Sequence, residues 1–141
     1  MKYLLDTNVV SEVRRAECHP NVRARLAAIA EEDLCISVIT LGEIAHGISR
    51  LEPGKRRREF EEWLGQTERL FAERLLPVDR EIARLWGQIT ARAADQGRVI
   101  HAADGLIAAT GIRHGLHVIT RDVKGFEATG VMLINPWEET G

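Results

Sequence analysis

The 141-residue chain has only two cysteines, Cys18 and Cys35, too few for a disulfide framework in a domain of this size. Neither belongs to a CxxC pair, and Cys18-His19 lacks a second Cys/His pair at zinc-finger spacing. Cys35 lies in the apolar run Leu34-Cys35-Ile36, which predicts a buried, inert thiol. No apolar window approaches the roughly 20 residues that a bilayer span requires. The opening Met1-Lys2-Tyr3-Leu4-Leu5-Asp6 meets a carboxylate before a signal-like apolar region can develop. The expectation is a soluble, cytoplasmic protein without a membrane partner. Excess charge of either sign is missing too: 19 Lys plus Arg stand against 21 Asp plus Glu, a formal net charge of −2. That balance excludes indiscriminate polyanion binding, so contact with nucleic acid would need a local device, either bound metal or a small basic patch.

Repeats, low-complexity tracts and long linkers are also absent. With 45% apolar and 28% charged residues, the chain reads as one globular domain across 1–141. Several chemistries are excluded by their missing motifs. There is no GxGxxG, and Gly47 to Gly54-Lys55 has the wrong gap for a phosphate-binding loop of the Walker A type. The five histidines form no HxxxH or HExxH pair, and Ser37 and Ser49 lack a glycine-elbow context. The basic run Lys55-Arg56-Arg57-Arg58 is followed at once by Glu59, Glu61 and Glu62, which favours a solvated helix face over a contact patch for a polyanion.

What is present alternates. Short apolar runs at 2–5, 34–36, 75–76, 117–119 and 131–134 read as strands. Between them, apolar residues recur at helical spacing over about 8–14, 20–31, 38–51, 55–70, 80–96 and 101–114. Ser37 and Asp79 are suited to cap two of these helices, and Gly115 to end the last. Buried strands alternating with amphipathic helices predict an α/β fold, a three-layer α/β/α sandwich around a short central parallel sheet.

Ligands of such sheets bind outside the carboxyl ends of the strands. Asp6 is the first polar residue after the first strand, and Asp122 closely follows the strand 117–119. Glu43 shares a helix stripe with Gly47 and Arg50, away from the main apolar face. Asp104 lies in the first turn of its helix, where the dipole favours negative charge, with the small residues Ala108 and Gly111 downstream on its face. Each acid taken singly could be a cap or a surface carboxylate. Four acids brought to one sheet edge would repel one another and call for a cation, and an all-oxygen donor set selects Mg²⁺ or Mn²⁺. Such a site suits phosphodiester hydrolysis.

The ordered set resembles the PIN-domain ribonucleases. The opening Leu4-Leu5-Asp6-Thr7-Asn8-Val9-Val10-Ser11-Glu12 is similar to that family's first motif. Ile36 to Ile44, around Glu43, is similar to the second, and Asp104-Gly105-Leu106-Ile107-Ala108-Ala109-Thr110 to the third. The closing segment runs from Val118-Ile119-Thr120-Arg121-Asp122 to Ile134-Asn135-Pro136-Trp137. The likeness spans about residues 2–137 and is greatest to the VapC toxins of type II toxin–antitoxin systems, particularly their FitB-like branch.

The resemblance implies a Mg²⁺- or Mn²⁺-dependent endoribonuclease acting on RNA. It implies Asp6 and Asp104 as principal metal ligands, with Glu43 and Asp122 completing a catalytic quartet directly or through water. It also implies supporting roles for Thr7 and Asn8 beside Asp6, and for Thr120 near Asp122. A homodimer is implied, held inactive by a small antitoxin of the VapB/FitA kind that often inserts a basic side chain. Any contact with DNA would be made through that antitoxin complex. Two positions depart from the branch pattern: Asp122 stands where many relatives have Asn, and Gly125 where they have an acid. The proline expected just before Asp104 is also missing.

Other functions remain open on the residues alone. A PIN-domain nuclease of RNA processing or quality control would carry the same acids. A signalling receiver domain needs two adjacent carboxylates after the first strand, whereas Asp6 is followed by Thr7-Asn8. A non-catalytic binding module would not need to keep all four acids.

Overall fold

A computed structural model describes residues 1–138 of the chain. Five strands form one parallel sheet: β1 (Tyr3–Leu5), β2 (Leu34–Ser37), β3 (Leu75–Leu76), β4 (His117–Ile119) and β5 (Leu133–Ile134), in the spatial order β3-β2-β1-β4-β5. The first strand is therefore central, with Leu4 opposite Cys35 on one side and Val118 on the other. All four pairings are parallel, as the predicted α/β/α sandwich requires.

Strand side chains alternate between the two faces, and the core divides accordingly. Leu4, Cys35 and Val118 point to one face and pack with Ile107 and Ala108 of α6 (Ala102–His114) and with Phe126 of the short α7 (Val123–Phe126). Leu5, Ile36 and Ile119 point to the other. There they meet Val9 and Val10 of α1 (Thr7–Arg14), Ile44 and Ile48 of α3 (Val38–Ser49), and half-buried Phe60 and Trp63 of α4 (Lys55–Leu70). Helix α5 (Arg80–Asp95) lies against α6, burying Ile82 and Ile89 with Ala109. Among the described residues no helix is long and apolar enough to cross a membrane. Cys35 is fully buried, and burial pushes its thiol up to about 11, so it is inert as expected.

The local signals explain most boundaries. The Ser37 side chain accepts the Ile39 N–H, Asp79 Oδ1 accepts the Ile82 N–H at 2.9 Å, and Gly115 ends α6 with φ +67°. The departures have physical causes. The helix expected over 20–31 is α2 (Pro20–Ala27) only. Ala30 turns to extended backbone, and a single 3₁₀ turn spans Glu31–Asp33. Three consecutive acids would oppose the negative end of a helix dipole, whereas here they occupy the first turn of a new element. The last strand is two residues, not 131–134, because the Val131 N–H bonds to Thr129 Oγ1 and its side chain packs inward. Helix α7, with four residues, is too short to show a period and was not foreseen.

The small residues after Asp104 do not open the helix for a ligand. Ala108 and Gly111 are buried and let α6 lie close on the sheet. A methyl at Gly111 would sit 3.0 Å from Val131 Cγ2 and 3.1 Å from Val118 Cγ2. At Gly87, in the middle of α5, it would meet nothing within 4 Å. Gly87→Ala is therefore expected to raise stability by about 0.5–1 kcal/mol through helix propensity. Gly111→Ala should lower it by about 1 kcal/mol, overcrowding exceeding the same propensity gain. Urea denaturation of the two variants beside the parent measures both signs.

Candidate active site

Strands β1 and β4 each deliver a polar residue, Asp6 and Thr120, to the same sheet edge, where the two ends are joined by hydrogen bonds. Asp6 follows β1 and caps α1: its Oδ1 accepts the Thr7 N–H at 2.8 Å, and its backbone N–H donates to the Ile119 carbonyl. Thr120 follows β4 and is fully buried. Its hydroxyl donates to Asp6 Oδ2 at 2.7 Å and accepts both the Asp122 N–H at 2.9 Å and Asn8 Nδ2 at 3.3 Å. Asn8 in turn accepts the Arg121 N–H. The second strand is tied in through α1, where the Thr7 hydroxyl donates to Glu43 Oε1 at 2.6 Å and lies 3.1 Å from the Thr40 hydroxyl. Thr40 is fully buried one turn before Glu43, a polar residue inside an apolar helix stripe whose role the sequence reading missed.

The four acids differ in environment. Asp6 is 5% exposed, and burial raises its pKa; the hydrogen bonds from Thr120 and Thr7 oppose that rise, and the charges of Glu43 and Asp122 add to it. Asp104, half-buried in the first turn of α6, is pushed up to about 6. Burial is the main cause, followed by the charges of Asp6, Asp122 and Glu43, with nearby His101 partly offsetting them. Each of the other three thus lies within electrostatic reach of Asp104. Glu43 and Asp122 are exposed. Asp122 is folded back on its own chain, its Oδ1 accepting the Gly125 N–H at 3.1 Å as the cap of α7. A side chain at Gly125 would meet that carboxylate as it now lies, and the exposed Asp122 side chain would have to swing away.

The ion pairs among the described residues all lie elsewhere, so no lysine or arginine neutralises the quartet. Two of them, Lys55 with Glu59 and Arg57 with Glu61, occupy the basic run of α4 as the solvated-face reading expects. As placed, no three acidic, histidine or cysteine side chains among the described residues gather tightly enough to ligate one ion directly. By charge and donor chemistry the quartet nevertheless fits a hard divalent cation. Mg²⁺ commonly binds through one or two carboxylates and keeps several of its waters.

Beside the acids, α1, α3 and α4 enclose a cavity of about 250 Å³, with Thr7 and Glu43 at its polar end and Phe60 and Trp63 in its wall. Gly47 also lines it, and its missing side chain leaves the space open, as the Glu43–Gly47 stripe anticipated. A larger hollow of about 460 Å³ lies at Glu31, Arg69 and Arg74, where Arg74 bonds to the start of β2. It holds none of the quartet.

With this geometry in view, the comparisons are specific. The PIN domain family model matches residues 3–131. The chain is 43% identical over 136 residues to the VapC ribonuclease Y4jK of Sinorhizobium fredii, covering 96% of this chain and 97% of that protein. It is 42% identical over 137 residues to toxin FitB of Neisseria gonorrhoeae, covering 96% and 99%. The solved structure of FitAB bound to the IR36 DNA fragment superposes with a TM-score of 0.91 at 40% identity, covering 99% of this chain and 98% of that one.

The raised Asp104 pKa has a consequence for stability. An acid whose pKa is higher folded than unfolded destabilises the fold when ionised. The penalty is absent below pH about 4, grows as pH rises towards about 6, and is complete above that. Asp104→Asn, measured with a chelator present, should therefore raise the thermal midpoint at pH 7.5. Allowing for solvent screening, the gain is roughly 1 kcal/mol, or about 3 °C. At pH 3.5 variant and parent should melt together. Differential scanning fluorimetry across this range reads the difference.

Proposed function

Because the chain belongs to the PIN-domain family, we propose that it is a Mg²⁺- or Mn²⁺-dependent endoribonuclease serving as the toxin of a toxin–antitoxin pair. The carrying observation is the edge-on convergence of Asp6, Glu43, Asp104 and Asp122, with Asp104's hold on its proton strengthened by the other three. The extent and identity of the likeness to a VapC ribonuclease and to toxin FitB support the assignment.

Asp6 and Asp104 are the principal ligands in this reading, and Glu43 and Asp122 complete the site directly or through water. A divalent ion held there would neutralise phosphate oxygens and lower the pKa of an attacking water. The surrounding residues do the positioning. Thr120 fixes one oxygen of Asp6, Thr7 fixes Glu43, and Asn8 ties Thr120 to the backbone at Arg121. Asp6 is locked from two sides, so a ligand there loses little rotamer freedom on binding the ion.

The partner is a small antitoxin of the VapB/FitA kind. An unneutralised acidic edge beside an apolar cavity suits a basic side chain carried on an antitoxin segment, which would cover the acids. The FitAB relative is solved on a DNA fragment. For this chain, DNA contact belongs to the antitoxin, consistent with a net charge of −2. A homodimer of the toxin completes the proposed assembly.

Purified protein should cut RNA with Mg²⁺ or Mn²⁺ and lose the activity to a chelator. Asp6→Asn should reduce cleavage by about a hundredfold or more while α1 stays capped, since Asn caps as well as Asp. Expression should arrest growth, and co-expression of a neighbouring antitoxin gene should relieve it. Failure to cut tRNA, rRNA or mRNA with either metal, together with unimpaired growth, would sink the proposal. Cleavage without toxicity would point to an RNA-processing nuclease.

A further inference from the structure

The residues that directly follow the five strands are Asp6, Val38, Pro77, Thr120 and Asn135, so the edge is acidic or neutral until Arg121. This arginine stands between Thr120 and Asp122, and its backbone N–H is held by Asn8 Oδ1 at 3.3 Å. Its side chain is exposed, and the guanidinium carbon lies 5.2 Å from the centre of the Trp137 ring. That ring is a fixed platform. The Trp137 N–H donates to Asn135 Oδ1 at 2.9 Å, its carbonyl accepts Asn21 Nδ2 at 2.7 Å, and its indole packs on the second core cluster.

An arginine at an acidic edge is expected to pair with a carboxylate, as Arg15, Arg57, Arg74, Arg98 and Arg113 do elsewhere. Among the described residues Arg121 has no carboxylate within 4 Å and donates no side-chain hydrogen bond. Its guanidinium instead makes a cation–π contact with Trp137. A guanidinium carries its five N–H donors in one plane, the geometry that grips a phosphate with two parallel bonds.

We propose that Arg121, carried on Trp137, binds a phosphate of the RNA strand next to the one presented to the acids. The inference rests on the endoribonuclease reading and identifies the local basic device that a chain without net positive charge needs. Because the Arg121 backbone shares Asn8 and Thr120 with Asp6, the phosphate grip and the acidic site are registered by the same hydrogen-bond network. Lysine would supply the charge but neither the paired bonds nor the stack.

The test uses full-length protein in an Asp6→Asn background, so that RNA is bound without being cut. Fluorescence anisotropy with a labelled, randomised 20-nucleotide single-stranded RNA is followed from 50 to 300 mM KCl. Adding Arg121→Ala should weaken binding about tenfold and flatten the slope of log affinity against log salt by about one contact's worth, ~0.7. Arg121→Lys should keep the slope and lose part of the affinity. Arg92→Ala, at an exposed arginine on α5 that pairs with no carboxylate among the described residues, is the control and should change neither. Unchanged affinity and slope in Arg121→Ala, or equal losses at Arg92 and Arg121, would overturn the proposal. A cutting assay on the parent with Mg²⁺ or Mn²⁺ tests the endoribonuclease reading separately, since a parent that cuts no RNA would sink that reading while leaving the binding comparison on intact RNA readable.

Discussion

One buried hydroxyl holds the working edge of this protein together. A threonine side chain has one proton to give and two lone pairs to receive, and Thr120 uses all three. It donates to Asp6 and accepts from the Asp122 backbone and from Asn8. The donation opposes the effect of burial on Asp6. A carboxyl 5% exposed would otherwise favour its neutral form, and the hydrogen bond works against that tendency. The acceptances set the path of the chain after β4, placing Arg121 and Asp122 where they stand. Substituting valine would keep the shape and leave three polar groups without their shared partner, so specificity of arrangement rather than volume is what threonine supplies here.

The site is built against the stability of the fold. Four acids converge where no lysine or arginine among the described residues pairs with them, and burial together with their mutual repulsion raises the pKa of the half-buried Asp104. The parallel sheet makes that placement unavoidable once β1 is central, because residues following β1 and β4 leave the same edge. The energy of repulsion is available to whatever cation arrives, whether a metal ion or the side chain of a partner protein. Activity and inhibition in this reading draw on the same uncompensated charge.

Much of this was legible in the sequence because it depends on local order. A strand two or three residues long still announces its carboxyl end when the next residue is a carboxylate, and Asp6 is such a case. Asp104 was legible as a first-turn acid, and Glu43 through its stripe with Gly47. What the chain concealed depends on contacts between distant residues. Ala108 and Gly111 looked like clearance for a ligand but serve the approach of α6 to the sheet. The partners of Thr120 lie 112 and 114 positions away, and no spacing rule connects them. The stack of Arg121 on Trp137 needs the end of β4 and the chain beyond β5 to fold side by side. Helix α7 was hidden for a simpler reason, since four residues cannot display a period.

That short helix also carries a constraint on how the sequence can vary. Asp122 folds back to cap α7 only because Gly125 presents no side chain. An acid at 125 would repel the carboxylate at 122, whereas asparagine at 122 would shed that charge. The two positions thus behave as a single locus with one negative charge and two addresses. Moving that charge by a helical turn without adding a second one therefore asks both residues to change together.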